Sequence, residues 1–123
     1  MCAKYWAFNG MLNLGKFDVV IKSFKNHSIE IIDLNTLIPW DKELVFNSIK
    51  KTGKELLLQE DSQFSGFMGE ISSCISEEIF EYLDAPIVRL GSLDTPIPFA
   101  KELEKGYMAS NRLKERLDFL LNY

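Results

Sequence analysis

Few side chains here could do covalent or acid–base chemistry. Histidine occurs once, as His27, in the polar turn Lys-Asn-His-Ser ahead of an apolar run, where an exposed turn residue is the plain reading. No serine sits in a Gly-x-Ser-x-Gly elbow, and no nucleophile has an evident base. Cys2 and Cys74 are the two cysteines and lack Cys-x-x-Cys spacing, which argues against a zinc site or disulfide framework. Cys74 falls in an apolar helical pattern and reads as a small buried hydrophobe. Carboxylates are plentiful but scattered. Glu77 and Glu78 suit a solvated helix face, whereas Glu60 and Asp61 end a strand at its carboxyl end, where α/β proteins bind ligands. The stretch Ser-Gly-Phe-Met-Gly-Glu (65–70) follows a strand and opens a helix, as phosphate loops do, but has neither Rossmann nor Walker spacing. Gly66 and Gly69 read first as places of close backbone approach, within the domain or across a subunit contact.

The elements that must position these groups alternate. Residues 3–8 are aromatic and strand-like, and Asn9-Gly10 is a turn signal. From Met11 the residues Leu14, Phe17, Val20, Ile21 and Phe24 recur at helical spacing. Residues 28–34 (SIEIIDL) predict a strand covered on both faces. Asp41 reads as a helix cap ahead of a buried stripe of Leu44, Val45 and Ile49; Lys50, Lys51 and Gly53 mark the helix end. Residues 55–59 (ELLLQ) form a second central strand. A long helix follows over 67–83, with Phe67, Ile71, Ile75, Ile79 and Leu83 spaced four apart. A third clear strand spans 87–90, a short helix 99–107, and a last helix 111–121 with Leu113, Leu117, Leu120 and Leu121 on one face. Strands alternating with helices imply crossover units, so the expected architecture is a three-layer α/β/α sandwich with a mostly parallel sheet of about five strands.

The bulk numbers suit one such domain. The chain has 123 residues, 46% of them hydrophobic and 26% charged, enough apolar material for a core without staples. A net charge of -4 with no Lys/Arg run argues against nucleic acid as partner. No apolar run approaches a membrane span, and the N-terminus does not read as a signal peptide. With the cysteine usage, this points to a cytoplasmic protein.

Two Leu-Asp-x-Pro phrases, 83–86 and 93–96, bracket the third clear strand. Asp84 and Asp94 could each accept backbone N–H groups at a turn, and Arg89 between them could pair with either. Pro96 and Pro98 force an extended exit towards the last helices.

From about residue 29 onwards the chain resembles the C-terminal domain of the transketolase family, and within it the beta subunit of thiamin diphosphate-dependent 2-oxo acid dehydrogenases. The landmarks occur in order: IDLNTLIPWD (32–41), KKTGKELLLQE (50–60), SGFMGEISS (65–73), LDAPIVR (83–89) and DTPIPFAKELE (94–104). IPWD, EISS, DTPIP with Thr95, and the ending Asn-Tyr lean towards the branched-chain (2-oxoisovalerate) type; pyruvate, acetoin and transketolase-like relatives share most of the pattern. Departures are Asn35 where the family usually has Arg, Ser65-Gly66 where it has Gly-Gly, and a loose match over residues 1–27.

The resemblance implies that residues 1–123 are one transketolase C-terminal-like domain of a longer enzyme whose N-terminal thiamin-binding domain is absent. The parent would use thiamin diphosphate with a divalent cation, decarboxylate a 2-oxo acid and reductively acylate a lipoyl group. This fragment would carry no cofactor, metal or catalytic residue and be inactive alone. Its work would be assembly with alpha and beta subunits or domains of the same enzyme, with no membrane or nucleic acid involved. The resemblance also implies docking of the subunit-binding domain of the lipoyl acyltransferase core, through Asp84 and the terminal carboxylate at Tyr123. Gly66, Phe67 and Gly69 are the subunit-interface candidates. The remaining alternative is a free-standing α/β domain that binds a small anion at Gly66–Gly69.

Overall fold

The computed structural model describes residues 2–8, 23–24 and 27–123. Among the described residues there are four strands, against the expected five or so: β1 (Cys2–Phe8), β2 (Ser28–Leu34), β3 (Glu55–Ser62) and β4 (Val88–Ser92). They form one sheet in the order β2-β1-β3-β4, and every pairing is parallel. The helices are α1 (Lys42–Thr52), α2 (Phe67–Glu78), α3 (Lys101–Tyr107) and α4 (Leu113–Leu121), with 3-10 turns at Phe80–Tyr82 and Ala109–Arg112. The expected Asn9-Gly10 turn and the helix from Met11 to Ile21 lie outside the described residues.

The strand β3 divides the core. Successive side chains of a strand point to opposite faces. Leu56 and Leu58 therefore join Val88, Leu90, Leu113 and Leu117 on one side. Leu57 joins Val45, Ile49, Ile71 and Ile75 on the other. Helices thus cover both faces, α4 on one and α1 with α2 on the other, which makes the three layers.

Local chemistry sets the helix ends. The Asp41 carboxylate accepts from the Leu44 N–H at 2.9 Å and caps α1. Gly53 ends α1 with φ 68°, a left-handed conformation that costs glycine nothing, and its N–H donates to Ile49 O at 2.8 Å. The cation positions Lys50 and Lys51 stand in the last turn, as expected.

Several expectations are corrected. Leu44 is 46% exposed and outside the buried stripe, because the inward arc of α1 centres on Val45, Ile49 and Thr52, with Phe46 and Ser48 on its flanks. In the described sheet β2 stands at one end of the order, and its second face is only partly covered, Ile29 packing on the core. Ile32 and Leu34 are buried, but Ile31 on the opposite face is 37% exposed. The 67–83 helix stops at Glu78: Ile79 adopts φ -140°, and the chain tightens into the 3-10 turn that bonds Leu83 N to Phe80 O at 3.0 Å. Ile79 is still buried, which is why its spacing looked helical, whereas Phe80 turns outward. Strand β4 runs on through Gly91 and Ser92, both buried, and the last two helices begin at Lys101 and Leu113. The strand-like residues 3–8 form β1, which lies inside the sheet between β2 and β3.

Truncation at the dividing strand tests this arrangement. Leu57→Ala removes a fully buried side chain from the α1/α2 layer and should cost about 2–5 kcal/mol in urea unfolding. A loss within a few tenths of zero would contradict the two-sided burial of β3.

Candidate functional site

Two regions hold the sequence-selected residues, one at each end of the sheet. At the carboxyl end, β3 runs into the loop that opens α2. Gly66 is the N-cap of α2 and has no side chain to accept from the first helical amides. The buried side chain of Gln59 does that work from β3. Its Oε1 accepts from Met68 N at 3.0 Å, while its Nε2 donates to the Ser62 carbonyl. A Cβ on Gly66 would fall 1.7 Å from Gln59 Nε2 and 2.5 Å from Ser62 O, so this glycine marks close approach within the domain. Ser65 has φ 56°, a left-handed conformation that costs a residue with a Cβ about 1–2 kcal/mol.

The same loop is crossed by the chain after β4. A Cβ on Gly91 would meet Gln63 Cα and N at 2.8 Å and Asp61 O at 2.9 Å, so the two backbones touch. The Ser92 hydroxyl donates to Glu60 O at 2.6 Å, and Arg112 Nη2 donates to Gly91 O at 2.6 Å. Asp94 Oδ1 accepts from the Ser62 hydroxyl at 2.5 Å and from Phe64 N at 2.8 Å. The Ser62 bond first, then the Phe64 amide, hold the Asp94 carboxyl below the ordinary 3.8; partial desolvation works against them, and a Gln63 amide and the Arg112 charge add smaller downward pulls.

These contacts decide the loop's chemistry. Met68 N goes to Gln59, Gly69 N to Gly66 O at 2.9 Å, and Phe64 N to Asp94. These three amides are engaged internally, which counts against the anion-site alternative. Among the described residues no group of three or more His, Cys, Asp or Glu is placed to hold a metal ion. This donor set does not fit a diphosphate with its divalent cation.

At the amino end of the sheet, an open groove of about 520 Å³ is lined by Ser72 and Ser76 of α2, then Phe80, Asp84, Pro86 and Tyr123. Asp84 and Tyr123, distant in sequence, line this one groove. The Asp84 N–H donates to Gly53 O at 2.7 Å, fastening the first Asp-x-Pro corner to the end of α1. Its carboxylate covers Gly53, where a Cβ would lie 2.1 Å from Oδ2, and has no hydrogen-bond partner among the described residues. Turn capping through that carboxylate is therefore not its role. Tyr123 leans on Phe119 with ring centroids 6.0 Å apart, and Phe80 is 68% exposed.

The other candidates fall outside both regions or serve the fold. Phe67 is half-buried against the α1/α2 core, and half-buried Gly69 lies against Arg89, whose Nη1 would be 3.2 Å from an added Cβ. Arg89 pairs with neither Asp84 nor Asp94, since neither is among the partners that the described ion pairs use. His27 closes a turn, its N–H donating to Phe24 O at 3.1 Å. Asp61 bonds Ser62 N at 2.7 Å. Cys74 is half-buried rather than buried, and burial, then the Glu70 charge, pushes its thiol up, which disfavours the reactive thiolate. Sequence reading missed Gln59, Ser62 and Arg112. The only signal for Gln59 was a polar residue closing an apolar strand run. Nothing in the sequence links Ser62 to Asp94, 32 residues away.

The profile of the family "Transketolase, C-terminal domain" matches residues 20–112. The chain belongs to the transketolase C-terminal domain family. It is 43% identical over 97 residues to "2-oxoisovalerate dehydrogenase subunit beta 2, mitochondrial" of Arabidopsis thaliana, covering 78% of this chain and 26% of that protein. It is 40% identical over 97 residues to "Pyruvate dehydrogenase E1 component subunit beta" of Mycoplasma pneumoniae, covering 79% of this chain and 30% of that one. Among solved structures, "Split gene transketolase, inactive beta4 tetramer" superposes with a TM-score of 0.74 at 20% identity, over 98% of this chain and 38% of the other, and so supports the fold. The chain thus spans 26% to 30% of the length of these curated relatives.

The Gly66–Gln59 contact gives a prediction. Gly66→Ala should destabilise by about 1–3 kcal/mol through overpacking. In a Gln59→Ala background its cost should fall by about 0.5 kcal/mol or more, because one clashing group is gone. Additive unfolding energies would show that the two residues do not share this space.

Proposed function

We propose that this chain is the C-terminal assembly domain of a beta-subunit-type 2-oxo acid dehydrogenase decarboxylating component. The observation that carries the reading is the match to beta subunits at 40% to 43% identity, through landmarks in family order. The parent enzyme decarboxylates a 2-oxo acid on thiamin diphosphate, with a divalent cation, and passes the acyl group reductively to a lipoyl arm. In this reading the domain contributes assembly and no step of that chemistry. Both branched-chain and pyruvate types occur among the relatives. The IPWD, EISS and DTPIP stretches favour the branched-chain type. Cysteine usage supports a cytoplasmic setting.

Within the assembly, the groove holding Asp84 and Tyr123 meets the subunit-binding domain of the lipoyl acyltransferase core. An unpaired carboxylate at an open rim suits a basic partner, and exposed Phe80 adds apolar area beside it. Phe67 and Gly69, both half-buried, serve the contact with the other subunits, while Gly66 shapes the loop that presents them.

Calorimetric titration of the domain with a purified subunit-binding domain tests the docking reading. Binding should weaken as salt rises, and Asp84→Ala should weaken it by about tenfold, as for a charged rim contact. Equal binding by wild type and Asp84→Ala would refute the assignment of Asp84. For the substrate, decarboxylation assays on the complete enzyme containing this domain should favour 2-oxoisovalerate over pyruvate. The reverse preference would move the chain to the pyruvate type.

A further inference from the structure

The loop between β3 and α2 is held from two sides by side chains remote from it in sequence or in layer. Gln59 grips the inner side at Ser62 O and Met68 N, the two ends of the loop. Asp94 grips the outer side at the Ser62 hydroxyl and at Phe64 N. Between these grips the tip has little else to favour its shape. Phe64 is 77% exposed, and Ser65 is exposed with a left-handed φ. The further contacts are long: the Ser62 hydroxyl lies 3.2 Å from Phe64 O, and Gly91 N lies 3.4 Å from Gln63 Oε1. Burial does not hold the tip, and backbone preference opposes its conformation.

We propose that Asp94 is a latch: its carboxylate fastens the exit of β4 to the tip of the β3–α2 loop, and neutralising or removing it lets that tip open while the sheet and helices stay folded. A carboxylate accepting from a hydroxyl and an amide makes charge-assisted bonds, which are the strong kind. Protonation removes that charge. Its surroundings put the release in acid. Ser62, Gln63 and Phe64 on the loop are neutral, and Arg112, from the turn before α4, is the charge that faces it. All four favour the ionised form, so the latch is fully closed above the ordinary carboxyl value of 3.8 and opens only as pH falls through the lowered value that Asp94 has in the fold. The device governs whether the tip that carries exposed Phe64 is ordered.

Amide hydrogen exchange by NMR on the whole chain at neutral pH reads the latch directly. In Asp94→Ala the protection of Phe64 should fall by about tenfold or more, the effect of losing a hydrogen bond to a charged group. Protection of Leu57 in β3 and Ile71 in α2 should stay as in wild type. Lowering the pH of the wild type stepwise below the ordinary carboxyl value of 3.8 should reproduce the loss at Phe64 before any loss at Leu57 or Ile71. Unchanged protection at Phe64 would overturn the proposal. So would an equal fall at Leu57 and Ile71, which would make Asp94 a general stability residue. If Asp94→Ala does not fold, Ser62→Ala keeps the Phe64 bond and removes the other; it should give a smaller, local loss at the tip, and no loss would again overturn the latch.

Discussion

Leu56, Leu57 and Leu58 are each sealed from water, yet they face opposite helix layers. A strand in that position must be apolar on both faces and paired on both edges, and β3 is, with β1 on one side and β4 on the other. The layers take their places from it. Helices α1 and α2 cover one face because Val45, Ile49, Ile71 and Ile75 pack where Leu57 points. Helix α4 covers the other because Leu113 and Leu117 pack where Leu56 and Leu58 point. Each buried leucine contributes on the order of 1.5–3 kcal/mol, so this strand dominates the apolar energy of its surroundings.

Where β3 leaves the core, polar chemistry takes over. Its last residues have nowhere apolar to go, and the loop to α2 must satisfy helix amides that Gly66 cannot cap. Gln59 solves this from inside the fold. Gly91 brings a second backbone against the loop, Ser92 bonds the end of β4 to β3, Arg112 ties the turn before α4 to β4, and Asp94 closes the outer side. Because these bonds use the loop's own amides, the carboxyl edge is an element of architecture rather than an anion pocket.

The two Leu-Asp-x-Pro corners show how far local sequence reaches. They are nearly identical phrases, and both do turn the chain. Yet Asp84 gives its N–H to Gly53 and leaves its carboxylate on a groove rim, whereas Asp94 spends its carboxylate on a loop 30 residues earlier. The difference lies in what the fold brings opposite each corner: the end of α1 in one case, the end of β3 in the other.

By itself the sequence determined the α/β class, the order of the described strands and helices, and the caps at Asp41 and Gly53. Each of these depends on residues within a few positions of one another, through alternation, helical spacing or turn chemistry. It also carried the family landmarks, which are strings of neighbours. Tertiary structure alone decided that β1 lies inside the sheet and β2 at its end, that Leu44 faces water, and that Asp84 and Tyr123 share a groove. It alone paired Gln59 with Gly66 and Asp94 with Ser62 and Phe64. Those outcomes rest on contacts between segments far apart in the chain, whose geometry is set by how the layers close on β3 and not by the preferences of any one residue.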